Sequence, residues 1–145
     1  MRVAVVGGTG PFGKALAVRL HASGIDVIVG SRDAERAAAT ALGLGCVGET
    51  NVEASSDADF VILAVNAEAA LDTARELRAA IGATPVLSVA SELKVSKAGV
   101  FPSAHAVSLA ERIQAELDGP VLAGLHSLAA SSLGADHPPD EDAFV

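Results

Sequence analysis

The stretch that most limits how this chain can fold is "VAVVGGTGPFGKALAVRL", residues 3–20. An apolar, β-branched run ends on glycines and passes at once into apolar residues spaced three and four apart. A buried strand must therefore turn sharply into an amphipathic helix. Gly8-Thr9-Gly10-Pro11-Phe12-Gly13 fits G-x-G-x-x-G in that frame. Glycine there permits a tight turn and lets the backbone approach a pyrophosphate, and Pro11 suits the first helical turn, where its missing N–H costs nothing. Free N–H groups and the positive end of the helix dipole then face the anion. The same glycines also suit a turn that only lets helix and strand pack; the strand, turn and helix in succession favour dinucleotide binding.

The rest of the chain repeats the alternation. Arg2 to Val6, Asp26 to Val29, Asp59 to Val65, Pro85 to Val89 and Pro120 to Leu125 read as strands, several of them apolar throughout, as strands covered on both faces are. Helical patterns run over Phe12 to Ala22, Ala34 to Leu42, Ala67 to Ile81 and Ala104 to Leu117, with a short strand expected in Gly43 to Val47 and a weak helix around Val52 to Ser56. Strand and helix alternating in this way imply right-handed crossovers. The fold class is α/β: a doubly wound, mainly parallel sheet of the Rossmann type. With 145 residues, half of them hydrophobic, a single dinucleotide-binding domain of this type spanning residues 1–145 is expected. Within it the acidic, proline-broken segment 135–145 leads into a truncated or terminal strand.

A second signal closes the second strand, in "VIVGSRDAER". An NAD-binding fold usually carries Asp or Glu there, bonded to the ribose 2′-hydroxyl. Here Gly30 is followed by Ser31 and Arg32, with Arg36 one helical turn on. A hydroxyl and a planar fork of donors suit a 2′-phosphate, so this end points to NADP rather than NAD. The alternative is a solvated helix start in which Asp33 and Glu35 merely pair with the arginines.

Composition narrows the partners. A formal net charge of −8 argues against a nucleic-acid surface, and the apolar runs are too short to span a membrane. One cysteine, Cys46, allows no internal disulfide and fits a reducing, cytoplasmic setting. His21, His105 and His137 are scattered without ligand spacing, so no metal is expected.

Residues 1–37, "MRVAVVGGTGPFGKALAVRLHASGIDVIVGSRDAERA", with "ADFVILAVNAEAALDTARELR" and "VLAGLHSLAASSL", resemble the NADPH-dependent reductases of the deazaflavin coenzyme F420. The resemblance implies hydride exchange between NADP(H) and coenzyme F420 as the second substrate. It implies that Gly8, Thr9, Gly10, Pro11, Phe12 and Gly13 meet the pyrophosphate, that Ser31, Arg32 and Arg36 meet the 2′-phosphate, and that the family's chain continues past Val145 and contributes to a homodimer. Such a reaction asks for orientation and exclusion of water, with no obligatory nucleophile.

Ligands of parallel sheets lie outside the carboxyl ends of the strands, which brings in Val65, Asn66, Ser88, Ser91 and His126. Asn66 and His126 are candidates for the acceptor side; His126 reads equally as a structural residue, and Phe12 as one that packs its helix. Where the family commonly has a proline and an aromatic residue after the fourth strand, this chain has Asn66-Ala67, and "SVASELKVSKAG" replaces an Asn-Pro-Leu type of segment. Lys94 and Lys97 in that loop either meet an anionic tail or are solvated. A short-chain dehydrogenase would need a Tyr-x-x-x-Lys pair, and the chain has no tyrosine. Two other readings stay open: an NADP(H)-binding or redox-sensing module without catalysis, and an NADPH reductase of a flavin, quinone or metal complex.

Overall fold

In the computed structural model, which describes residues 1–102 and 105–133, strands and helices alternate along the chain. They are β1 (Arg2–Val6), α1 (Pro11–Ala22), β2 (Asp26–Ser31), α2 (Ala34–Leu42), β3 (Val47–Thr50), α3 (Asn51–Ser56), β4 (Phe60–Leu63) and α4 (Ala67–Ile81). Then follow β5 (Val86–Ser88), β6 (Leu93–Ser96), β7 (Gly99–Pro102), α5 (Leu109–Gln114), β8 (Val121–Ala123) and α6 (Ala130–Leu133). Six strands form one sheet in the order β3-β2-β1-β4-β5-β8, every pairing parallel. This is the doubly wound α/β architecture that the alternation predicts.

The strand period of two sorts β1 between two layers. Ala4 and Val6 face a cluster with Ala54 of α3, Ala70, Ala74, Leu77 and Ile81 of α4, and Leu109 and Ile113 of α5. Val3 and Val5 face the other side, where Leu16 and Ala17 of α1, Ala41 of α2 and Leu133 of α6 gather. The buried positions of α4 follow helical spacing along one stripe, and each fully buried aliphatic such as Leu63 or Ile113 contributes about 1.5–3 kcal/mol.

Several local expectations are corrected. The third strand lies at Val47–Thr50 rather than over Gly43 to Val47, because Gly45, at φ +72°, belongs to the turn that ends α2, with the Cys46 N–H donating to the Ala41 carbonyl. The loop expected over "SVASELKVSKAG" contains an antiparallel hairpin, β6 with β7, paired from Leu93↔Pro102 to Ser96↔Gly99. The helix expected from Ala104 to Leu117 begins only at Leu109, where the Ser108 hydroxyl and Glu111 carboxylate form a capping box. The tail 135–145 and His137 lie outside the described residues.

A similar box starts α3: the Thr50 hydroxyl accepts from the Glu53 N–H at 3.2 Å while the Glu53 carboxylate accepts the Thr50 N–H at 3.1 Å. Next to it, Glu49 has its Oε2 buried without a partner among the described residues. Burial, followed by the nearby carboxylates of Asp57 and Glu53, holds its pKa above the ordinary range. A carboxyl with a raised folded pKa favours the native state at low pH, and that contribution is lost as pH rises through the folded value. Glu49→Gln should therefore raise the Tm by about 1–2 °C at neutral pH. The gain should vanish in thermal melts below the carboxylate range; an unchanged gain there would mean that charge is not its cause.

Candidate functional site

Connections from β1 and β4 leave toward opposite faces of the sheet, and the adjacent carboxyl ends of these two strands leave a crevice between them. A cleft of about 890 Å³ opens there. Gly7, at φ +76°, turns the chain out of β1, and a Cβ on it would come within 2.7 Å of the Ala64 carbonyl oxygen at the end of β4. The glycine turn thus rests directly on the neighbouring strand.

The turn divides its amides between two tasks. The Gly8 N–H donates to the Val5 and Gly30 carbonyls at 3.0 and 2.9 Å, which ties the turn to the sheet, and the Gly10 N–H donates to the Gly7 carbonyl at 3.0 Å. Gly10 caps α1 without any side-chain bond, Pro11 occupies the first helical position, and no acidic residue stands in the first turn. The helix geometry leaves the Phe12 and Gly13 N–H groups without an intrahelical acceptor, at the positive end of the dipole. Gly13 is where helix and turn touch: a Cβ there would lie 2.6 Å from the Gly7 carbonyl oxygen and 2.8 Å from the Gly8 Cα.

Ser31 ends β2 and is 5% exposed. Its hydroxyl oxygen accepts the Asp33 N–H at 3.2 Å, leaving the hydroxyl proton free to be donated. The Asp33 carboxylate accepts the Arg36 N–H at 3.1 Å and so caps α2 instead of pairing with an arginine. Among the described residues neither the Arg32 nor the Arg36 guanidinium has an ion pair, whereas Arg2, Arg75, Arg78 and Arg112 are each paired with a carboxylate. Two unpaired cations on a chain of net charge −8 line the same cleft as Thr9 and Gly10. Glu68, Asp72 and Glu76, one helical turn apart on α4, also line it, so an anion would be held by the arginines and the α1 terminus.

Val65 and Asn66 lead out of β4 into this cleft. Asn66 is the N-cap of α4 yet makes no side-chain cap bond, so its amide is not committed to the helix. It also lines a second cleft of about 620 Å³ with Ser91, His105 and the Glu92–Arg112 ion pair. Five other predicted residues, Gly8, Phe12, Gly13, Ser88 and His126, do not line either cleft. Phe12 packs beside Val3, Leu16 and Ile62; Ser88 is buried in β5; His126 is exposed in the turn after β8, next to Leu125 at φ +62°. Lys97 is exposed at the hairpin turn. Among the described residues no group of three or more His, Cys, Asp or Glu is placed to hold a metal ion, and no helix is long and apolar enough to cross a membrane.

Sequence reasoning passed over Asn51 and the α4 wall with Ala69 and Thr73, all of which line the cleft. The signal available for Asn51 was Thr50-x-x-Glu53, a capping box that starts the helix one residue earlier than expected. Nothing local marks the α4 wall, which meets the cleft only through the crossover.

Comparison with known proteins follows the same lines. The family described as NADP oxidoreductase coenzyme F420-dependent matches residues 2–92. A protein of Methanothermobacter marburgensis named F420-dependent NADP reductase is 41% identical over 90 residues, 56% of this chain and 40% of its own length. A protein of the same name from Methanothermobacter thermautotrophicus is 39% identical over 87 residues, 54% of this chain and 38% of its own. The matched stretch thus spans about two fifths of these relatives. A hypothetical protein from Sinorhizobium meliloti superposes with a TM-score of 0.73 at 23% identity, over 97% of this chain and 67% of its own, which shows the shared fold.

Proposed function

The chain belongs to the family of coenzyme F420-dependent NADP oxidoreductases, and from that premise we propose that it binds NADP(H) along the β1–β4 crevice and exchanges a hydride with the deazaflavin F420. The observation that carries the proposal is the pairing of two anion sites in one cleft. One is the uncapped N-terminus of α1; the other is the unpaired Arg32 and Arg36 beside Ser31. Together they suit a phosphorylated dinucleotide: pyrophosphate on the Thr9 to Gly13 turn, 2′-phosphate on Ser31, Arg32 and Arg36. A site for NAD would instead end β2 on a carboxylate that accepts from the ribose hydroxyl, and that carboxylate would repel the phosphate.

When bound, the nicotinamide supplies the hydride chemistry. The residues of this chain bind, orient and shield. Asn66 lines both this cleft and the second one, where the acceptor is assigned, and its uncommitted amide is available to orient a ring. Ser88 and His126 keep no role in this assignment, and Phe12 holds α1 to the sheet. The partners are then two small redox molecules in the cytoplasm, with neither nucleic acid nor membrane required, in keeping with the net charge of −8.

The test mixes the purified chain with NADPH and oxidised F420 and follows the deazaflavin absorbance, with NADH as control. Loss of absorbance with NADPH alone is expected. Binding of NADPH without turnover would assign cofactor binding to this chain and leave catalysis unsupported; turnover with a flavin or quinone but not F420 would reassign the acceptor.

A further inference from the structure

Asn51 is the first residue of α3, only 9% exposed, and its amide oxygen Oδ1 is buried without a hydrogen-bond partner among the described residues. Helix capping does not account for it, because Thr50 and Glu53 already complete the capping box. Room is kept for it: a Cβ on Gly30, in the neighbouring strand, would lie 3.0 Å from that oxygen. Native folds rarely leave a buried acceptor unpaired, so an acceptor without a protein partner at a cleft wall calls for a donor from outside the fold. Asn51 lines the same cleft as Ser31, Arg32 and Val65.

Resting on the NADP(H) reading above, we propose that Asn51 Oδ1 accepts a hydrogen bond from the 6-amino group of the cofactor's adenine, which makes Asn51 a residue that selects the purine. A 2′-phosphate held by Ser31, Arg32 and Arg36 puts the base, attached to the adjoining ribose carbon, at this end of the cleft. Small apolar side chains lining the same cleft, Ala64, Val65 and Ala69, suit the faces of a flat ring. The edge of adenine offers an amine donor beside a ring-nitrogen acceptor, the complement of a carboxamide.

Dissociation constants for NADPH and for its 6-oxo analogue, reduced nicotinamide hypoxanthine dinucleotide phosphate, test this on the wild-type chain and on Asn51→Leu, with the ligand-free Tm of each. The wild type should prefer NADPH by about tenfold. Asn51→Leu keeps the side chain's approximate shape and removes the acceptor. It should weaken NADPH by about tenfold, bring the two ligands to equal affinity and leave the ligand-free Tm unchanged or higher, since an unpaired polar atom is gone. A purely structural Asn51 would lower the Tm and leave the ligand ratio as it was. Equal affinities in the wild type, or a ratio that survives in the variant, overturn the assignment while NADP(H) binding stands. A wild-type chain that binds no NADPH overturns both. Should Asn51→Leu fail to fold, Asn51→Ala and the wild-type ratio decide by the same criteria.

Discussion

Arg32→Ala should weaken NADPH binding by about 10- to 100-fold and leave NADH binding unchanged, because hydrogen bonds from a guanidinium to a phosphate contribute about 1.5–3 kcal/mol. The lower part of that range is the better guide, since Arg32 is exposed and solvent screens its charge. The change should shrink as salt is added, and Arg36→Ala should move affinity in the same direction by less, its guanidinium being one helical turn farther along. Fluorescence titration of both cofactors against both variants measures this. Equal losses for NADPH and NADH would mean that the arginines act on the fold or on the pyrophosphate and read no 2′-phosphate. Asp33 is the internal control: its carboxylate caps α2, so Asp33→Ala should lower stability by about 1 kcal/mol without inverting cofactor preference.

Gly13→Val is expected to have the largest effect on the fold itself. A Cβ at this position would stand 2.6 Å from the Gly7 carbonyl oxygen and 2.8 Å from the Gly8 Cα, both backbone atoms that cannot swing aside as a side chain would. Overpacking of this kind costs about 1–3 kcal/mol, equivalent to a fall in Tm of roughly 4–12 °C for a chain of this size. It also lifts α1 from the turn, so the first-turn N–H groups no longer face the cleft. Thermal melts with and without NADPH separate the two consequences. The variant should melt lower without ligand and gain little from NADPH, while the wild type gains in proportion to the logarithm of ligand concentration. A variant that melts low but is stabilised as fully as the wild type would mean that the glycine serves packing alone.

How far the chain could be read before its structure differs from residue to residue. The β1–α1 turn was open to inspection because its requirements are local: glycines in consecutive positions, a proline at the helix start and an apolar run on either side. The same holds for Ser31, which ends β2, and for Arg32 and Arg36 just beyond it. The β6–β7 hairpin was not, since "LKVS" and "GVFP" are too short to declare themselves and become strands only by pairing with each other. Nor was the role of Glu68, Asp72 and Glu76. Their spacing makes them one face of α4, but only the crossover from β4 turns that face toward the arginines.

The alternation of elements, the parallel sheet, the glycine turn and the Ser31-Arg32-Arg36 cluster follow from the sequence alone, because they rest on side-chain period, glycine sterics and the charge of residues close in the chain. Tertiary structure alone decided which of the candidates meet in one cleft. It drew Val65 and Asn66 into the same cleft as Arg32, left Ser88 inside β5 and His126 outside, and buried the Asn51 amide against Gly30. Those outcomes depend on contacts between segments that lie tens of residues apart, where packing and the strand order β2-β1-β4 rather than local pattern set the distances.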